Sequence, residues 1–201
     1  MTALRQLLGG RRQVGVLLHV TALPTGGFGA AAREWLELLS RHRVGVWQVL
    51  PLAPTDGTGS PYSSPSGFAL NPALLDQQDP LPPWTAQTTA DYRQWCRQQS
   101  HWLQDHARFM VLRSRFEQQP WWQWPEAAAK RSKAFLRQLD RDEAEAIEAE
   151  KQQQWWLQQQ WQSLRSIAAD CGVQILGDLP FYGAHDSCLL YTSPSPRDRV
   201  L

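Results

Sequence analysis

Two apolar runs joined by an amphipathic stretch constrain this chain more than any other feature. Val14-Gly-Val-Leu-Leu-His-Val20 and Val44-Gly-Val-Trp-Gln-Val-Leu-Pro-Leu52 are nearly continuous instead of alternating. A strand wetted on one face alternates apolar and polar residues, so a continuous run predicts a strand buried on both faces. Between the runs, a turn-rich connection spans Thr21 to Gly29. Ala30–Arg41 then sets Ala31, Trp35, Leu38 and Leu39 at helical spacing. Strand, helix and strand in close succession make a βαβ unit with parallel strands. A third run, Val173-Gln-Ile-Leu-Gly-Asp-Leu179, predicts a third strand with Asp178 at its carboxyl end.

The segment between the second and third strands is far longer than an ordinary crossover. It reads as a helical insertion subdomain over residues 79–170, starting at the proline-rich Asp79–Trp84. Tyr92, Trp95, Leu103, His106 and Met110 recur at helical steps, with Thr89 or Asp91 available as the N-cap. Trp121-Trp-Gln-Trp-Pro125 interrupts the pattern. Helices are expected again from Glu126 to Leu139 and from Asp142 to Asp170, with Gly172 as the C-terminal cap. Their glutamine-rich faces read as solvated. Trp155, Trp156 and Trp161 read as apolar anchors, with a sugar platform as the alternative role.

After the second strand comes Gly59-Ser-Pro-Tyr-Ser-Ser-Pro-Ser-Gly-Phe-Ala-Leu-Asn-Pro72. Turn formers dominate it, yet Tyr62 and Phe68 sit among them, and disordered linkers are poor in aromatics. An ordered loop at a strand end is where binding groups concentrate. Tyr62 can stack on a sugar face while its hydroxyl hydrogen-bonds, or simply pack the loop. Asp178 either faces a ligand at the strand end or holds a local turn hydrogen bond. His19, at the end of the first strand, reads as a structural histidine.

Other classes are disfavoured. A net charge of +1 gives no reason to expect nucleic acid or an anionic membrane. No run reaches the length of a spanning helix, and Met1-Thr-Ala-Leu-Arg-Gln begins no secretory signal, so the cytoplasm is the expected location. Cys96, Cys171 and Cys188 form neither a C-x-x-C pair nor an even set, which argues against disulfides and a zinc site. Gly27-Phe-Gly-Ala-Ala-Ala32 fits the G-x-G-x-x-A of a dinucleotide-binding turn. However, Thr21–Gly26 separates it from the strand, and the second strand ends in Val49-Leu-Pro-Leu52 without an acid. No G-x-S-x-G occurs.

Four blocks together resemble the amylomaltase family, the 4-α-glucanotransferases of glycoside hydrolase family 77. They are Arg12-Gln-Val-Gly-Val-Leu-Leu-His-Val-Thr-Ala-Leu-Pro24, Trp47-Gln-Val-Leu-Pro-Leu52, Ser60-Pro-Tyr-Ser-Ser64 with Phe68-Ala-Leu-Asn-Pro72, and Ile175-Leu-Gly-Asp-Leu-Pro180 with Asp186-Ser187. Ala22, Ala30 and Gly183 depart from the family's usual residues. The resemblance covers about residues 10–187 and implies an α/β fold, here an incomplete (β/α)8 TIM barrel of three strands. It also implies transfer of α-1,4-glucan segments to acceptor sugars with retention, by a carboxylate nucleophile and a carboxyl acid/base. No metal or organic cofactor is implied. Tyr62, Ser60 and Asp178 map onto the family's sugar pocket, whereas its nucleophile, acid/base and stabilising aspartate lie in motifs expected beyond residue 201. The alternatives are a non-catalytic α-glucan-binding protein or a related α-glucan hydrolase. Residues 188–201 continue no pattern and read as a non-native tail resembling a cloning junction. The 201 residues alone are expected to be inactive and prone to aggregate through open strand edges.

Overall fold

The computed structural model describes residues 13–79 and 81–192. The chain divides into two compact units. The sheet unit gathers residues 13–52, 73–79 and 158–179. The helical unit gathers residues 53–72, 81–157 and 180–192.

In the sheet unit, β1 (Gly15–Leu17), β2 (Val46–Gln48) and β4 (Gln174–Leu176) form a parallel sheet in the order β1-β2-β4. Gly15, Val46 and Gln174 stand level, as do Leu17, Gln48 and Leu176. The expectation of burial on both faces is corrected. Val16, Trp47 and Ile175 point to one side, where Trp47 is fully buried and its indole donates to the Leu18 carbonyl at 2.8 Å. The opposite side leaves Leu17 and Leu176 exposed at 55% and 42%. The apolar runs were therefore sound evidence for strands but not for two covered faces.

Helix α1 (Ala30–Arg41) joins β1 to β2 and buries Ala31, Ala32, Leu36 and Leu39. Leu38, expected inside, is exposed, because the stripe 32-36-39 faces inward and 38 lies off it. The glycines of the dinucleotide-like turn have another use. A Cβ on Gly27 would meet the Leu74 carbonyl at 2.8 Å, and one on Gly29 would overlap the Asp76 carboxylate. Segment 73–76 fills the space that a pyrophosphate would need, and Asp76 brings its negative charge to the α1 N-terminus. Arg33 and Asp79 form a two-pronged ion pair, both bonds 3.0 Å.

The helical unit holds α2 (Ala86–Gln98), α3 (Leu103–Arg115), α4 (Glu126–Ala129) and α5 (Lys133–Asp142). The long α6 (Ala144–Asp170) begins here and ends in the sheet unit. The N-cap of α2 is Thr85, not Thr89 or Asp91. Thr85 and Thr88 bond each other's backbone in a capping box, satisfying two end N–H groups at once. The helix expected from Glu126 to Leu139 breaks at Arg131, where φ is +52°, and restarts with Ser132 capping Phe135 N. Gly172 ends α6 as expected. Its φ is +68°, Gly172 N bonds Ala169 O and Val173 N bonds Ala168 O, which is a Schellman ending.

The core of this unit is aromatic. Phe109, Trp124 and Tyr191 share one cluster, and Tyr92, Trp95, Trp155, Trp156 and Trp84 share another. In the sheet unit Trp161 packs on Phe28, with ring centres 5.2 Å apart. The tryptophans named as anchors thus pack helices. Structure also continues past Ser187. Cys188–Thr192 forms α7, which buries Cys188 and Tyr191 and donates the Tyr191 hydroxyl to Ala128 O at 2.9 Å.

Candidate functional site

The loop carrying Ser60 and Tyr62 is built from its own short polar side chains. Asp56 accepts from the Thr58 amide and from the hydroxyls of Thr58 and Ser63. These bonds hold its carboxyl below the usual range, chiefly through Ser63 and then Thr58, with the Arg113 charge adding to them. Gly59 turns with φ +73°, a conformation that favours glycine. Ser60 then accepts twice, at its hydroxyl from Tyr62 N (3.3 Å) and at its carbonyl from Ser63 N (3.2 Å). Ser60 and Tyr62 therefore share one turn.

That turn leads into β3 (Ser63–Ser64), which pairs in parallel with β5 (Tyr182–Gly183). Tyr182 N bonds Tyr62 O, Ala184 N bonds Ser64 O and Cys188 N bonds Pro65 O. The ribbon brings Phe181 against Tyr62, ring centres 5.1 Å apart. Phe181 and Tyr182 are about two-thirds exposed, and Tyr62 is half-buried. Three aromatic rings thus stand on one short ribbon.

Beyond β5, Asp186 pairs with Arg113 of α3 at 3.3 Å and accepts from Trp121 N at 3.2 Å. Burial raises the Asp186 carboxyl, while Arg113 and the Trp121 amide oppose the rise. At the other end of the loop, Gln154 of α6 acts as a surrogate strand. Its amide oxygen accepts from Leu70 N and its NH2 donates to Leu70 O, both at 2.9 Å. The glutamine faces expected to be solvated are corrected here, since Gln154 is 2% exposed. Within the sheet unit Gln160 does the same for Asp76, at 3.0 and 2.8 Å.

Asp178 and His19 lie in the sheet unit. Each stands two residues past a level pair, Leu176 and Leu17, at the carboxyl end of the sheet on either side of β2. Asp178 is half-buried, and the local turn bond weighed against a ligand role is present, since Oδ1 accepts from Leu179 N at 2.8 Å. Burial lowers the His19 imidazole, favouring its neutral form, and Nδ1 has no hydrogen-bond partner. Among the described residues no group of three or more His, Cys, Asp or Glu stands ready for a metal, and no helix is long and apolar enough to cross a membrane. Sequence reasoning missed Phe181 and Gln154. The first had only its place after the third strand to mark it, and the second was one glutamine among many.

Comparison with known proteins follows the same residues. The sequence profile of the family described as 4-alpha-glucanotransferase matches residues 18–83 and 81–196. A 4-alpha-glucanotransferase of Thermus thermophilus is 32% identical over 225 residues, covering 91% of this chain and 45% of the relative. One from Synechocystis is 30% identical, covering 92% and 46%. The chain thus spans under half the length of these relatives. Amylomaltase from Streptococcus agalactiae, solved in complex with acarbose, superposes with a TM-score of 0.84 at 26% identity, covering 94% of this chain and 48% of that one. Amylomaltase from Corynebacterium glutamicum shares the fold, with a TM-score of 0.72 at 12% identity. On the profile match across both compact units, the chain belongs to the 4-alpha-glucanotransferase family.

Proposed function

We propose that the protein moves α-1,4-glucan segments between maltooligosaccharide acceptors with retained configuration, acting in the cytoplasm. The observation that carries this reading is the family match, which runs through the Tyr62 loop, the Asp178 strand and the β5 ribbon. In this reading β1, β2 and β4 are neighbouring strands of a (β/α)8 barrel, with the helical segment 79–170 inserted between the second and third. Ligands of such barrels sit at the carboxyl ends of the strands, where Asp178 stands. Tyr62, Ser60 and Asp178 are each proposed as a sugar contact. Tyr62 offers a ring face and a hydroxyl, and the Ser60 turn sets its backbone. The retaining pair of carboxylates, nucleophile and acid/base, is supplied from outside these 201 residues.

Incubating the full-length protein with maltotriose tests the reading. Transfer gives glucose together with maltopentaose and longer chains. Glucose and maltose alone would make it a hydrolase. Binding without products would make it a glucan-binding protein.

A further inference from the structure

The pairing of β3 with β5 does more for Tyr62 than fasten its backbone. Ser63 stands level with Tyr182, so one residue earlier Tyr62 stands level with Phe181. Level residues of a parallel pair point to the same face, and the next pair points to the other. Phe181 therefore shares the face of Tyr62, with ring centres 5.1 Å apart and planes tilted by 41°. Tyr182 N bonding Tyr62 O and Ala184 N bonding Ser64 O hold the two rings in that relation. Phe181 is 69% exposed, so it adds little to the core that the helices close.

The chemistry around the rings narrows the occupant. Residues 60–64 and 180–184 carry no charged side chain. The carboxylates that flank them are already matched, Asp56 by the hydroxyls of Thr58 and Ser63, and Asp186 by Arg113. A phosphate or a metal ion thus finds no uncompensated charge on this ribbon. In the same turn as Tyr62, the Ser60 hydroxyl accepts from Tyr62 N, while its own proton goes to no group among the described residues. Two ring faces next to a hydroxyl donor suit a ligand with apolar C–H patches and many oxygens, which describes a neutral sugar. A wholly apolar partner would bury the Ser60 proton unanswered.

We propose that Phe181 is a further substrate contact, seating the glucose unit next to the one that Tyr62 holds. The proposal rests on the reading of Tyr62 as a sugar contact. Two rings fixed by a backbone ladder meet the glucan without ordering loose side chains, which keeps the entropy cost of binding low. A contact one unit away holds ground state and transition state alike, so it sets KM and not kcat.

Kinetics of the full-length protein on maltoheptaose test this through a substitution series. Phe181→Leu keeps an apolar side chain but removes the ring face. It should raise KM about tenfold and leave kcat nearly unchanged, whereas Phe181→Tyr should keep the wild-type KM. A ring that merely packs against other protein would give the reverse order, with Leu tolerated and the added hydroxyl of Tyr penalised. That order, or an unchanged KM in Phe181→Leu, overturns the proposal, while transfer by the wild type leaves the transferase reading standing. If the full-length protein performs no transfer, that reading falls, and calorimetric titration with maltoheptaose decides the proposal separately. Binding weakened about tenfold in Phe181→Leu upholds it, and equal or absent binding sinks it.

Discussion

The sheet unit and the helical unit are held together by different physics. In the sheet unit, a backbone ladder of three parallel strands sets the geometry, and compact side chains such as Val20, Leu36, Val49 and Leu164 are buried. In the helical unit, the backbone frame is a set of helices, α2 and α3 of 13 residues among them, and one two-residue strand pair. Rings and long polar side chains complete it, as in the tryptophan clusters, Tyr92 donating to Glu148 at 2.7 Å, and Arg108 bridging Asp105 and Asp140. Ladders tolerate changes in side chains. A unit closed by side chains stakes more on each of them, and on their protonation.

The largest expected effect lies at the exception within the ladder. Trp47 is fully buried at the centre of β2 and also donates to Leu18 O. Trp47→Ala should cost about 3–5 kcal/mol, through cavity formation and the lost bond. Denaturant unfolding checks it, and a cost under 1 kcal/mol would mean that the ladder alone sustains the unit. Next comes acid. The His106 imidazole titrates near 4 in the fold and near 6.5 when unfolded. The unfolded chain therefore binds more protons between those values, and stability falls as pH drops through that window. The loss approaches about 3 kcal/mol once pH is below 4. Asp186 works in the opposite sense, since its raised carboxyl adds stability at low pH that is lost as pH climbs through its folded value. Unfolding midpoints from pH 7 to 4 should fall in the wild type and flatten in His106→Gln.

The two glutamine clamps allow the units to be compared at matched chemistry. Gln154→Leu and Gln160→Leu each strand one N–H and one C=O, at Leu70 and Asp76, for about 1–3 kcal/mol. Hydrogen exchange at those two amides reads the effect locally. The Leu70 amide should loosen more, because its loop lacks a ladder behind it. Equal loosening would erase the contrast. These clamps also mark the limit of what sequence discloses. Periodicity and continuous apolar runs betrayed the βαβ unit, because strand pairing follows hydrophobic pattern. They did not reveal which face would be covered, nor that α1 turns Leu36 inward in place of Leu38. Within Gln152–Gln154 and Gln158–Gln160 nothing local separates the clamping residue from its neighbours, because the deciding partner lies 84 positions away in each case. Tyr62 and Ser60 were legible as an ordered loop through turn chemistry. Phe181 beside Tyr62 was not, since a pairing of two residues per strand leaves no pattern to read.

The smallest effect separates backbone conformation from space. Gly172 and Gly29 both lie in the sheet unit at helix ends, yet for different reasons. Gly172 has φ +68° and nothing within 4 Å of where a Cβ would stand, so Gly172→Ala should cost only the left-handed strain, about 1 kcal/mol. Gly29 has φ −84°, outside the left-handed region, and its missing side chain makes room for Asp76. Asp76 is buried and its own backbone is fastened by Gln160, so Gly29→Ala must displace a held carboxylate and should cost more than Gly172→Ala. Thermal midpoints of the two variants decide the matter. If Gly172→Ala were the worse of the two, the Schellman ending of α6, and not the seating of segment 73–76 against α1, would be what this unit most depends on.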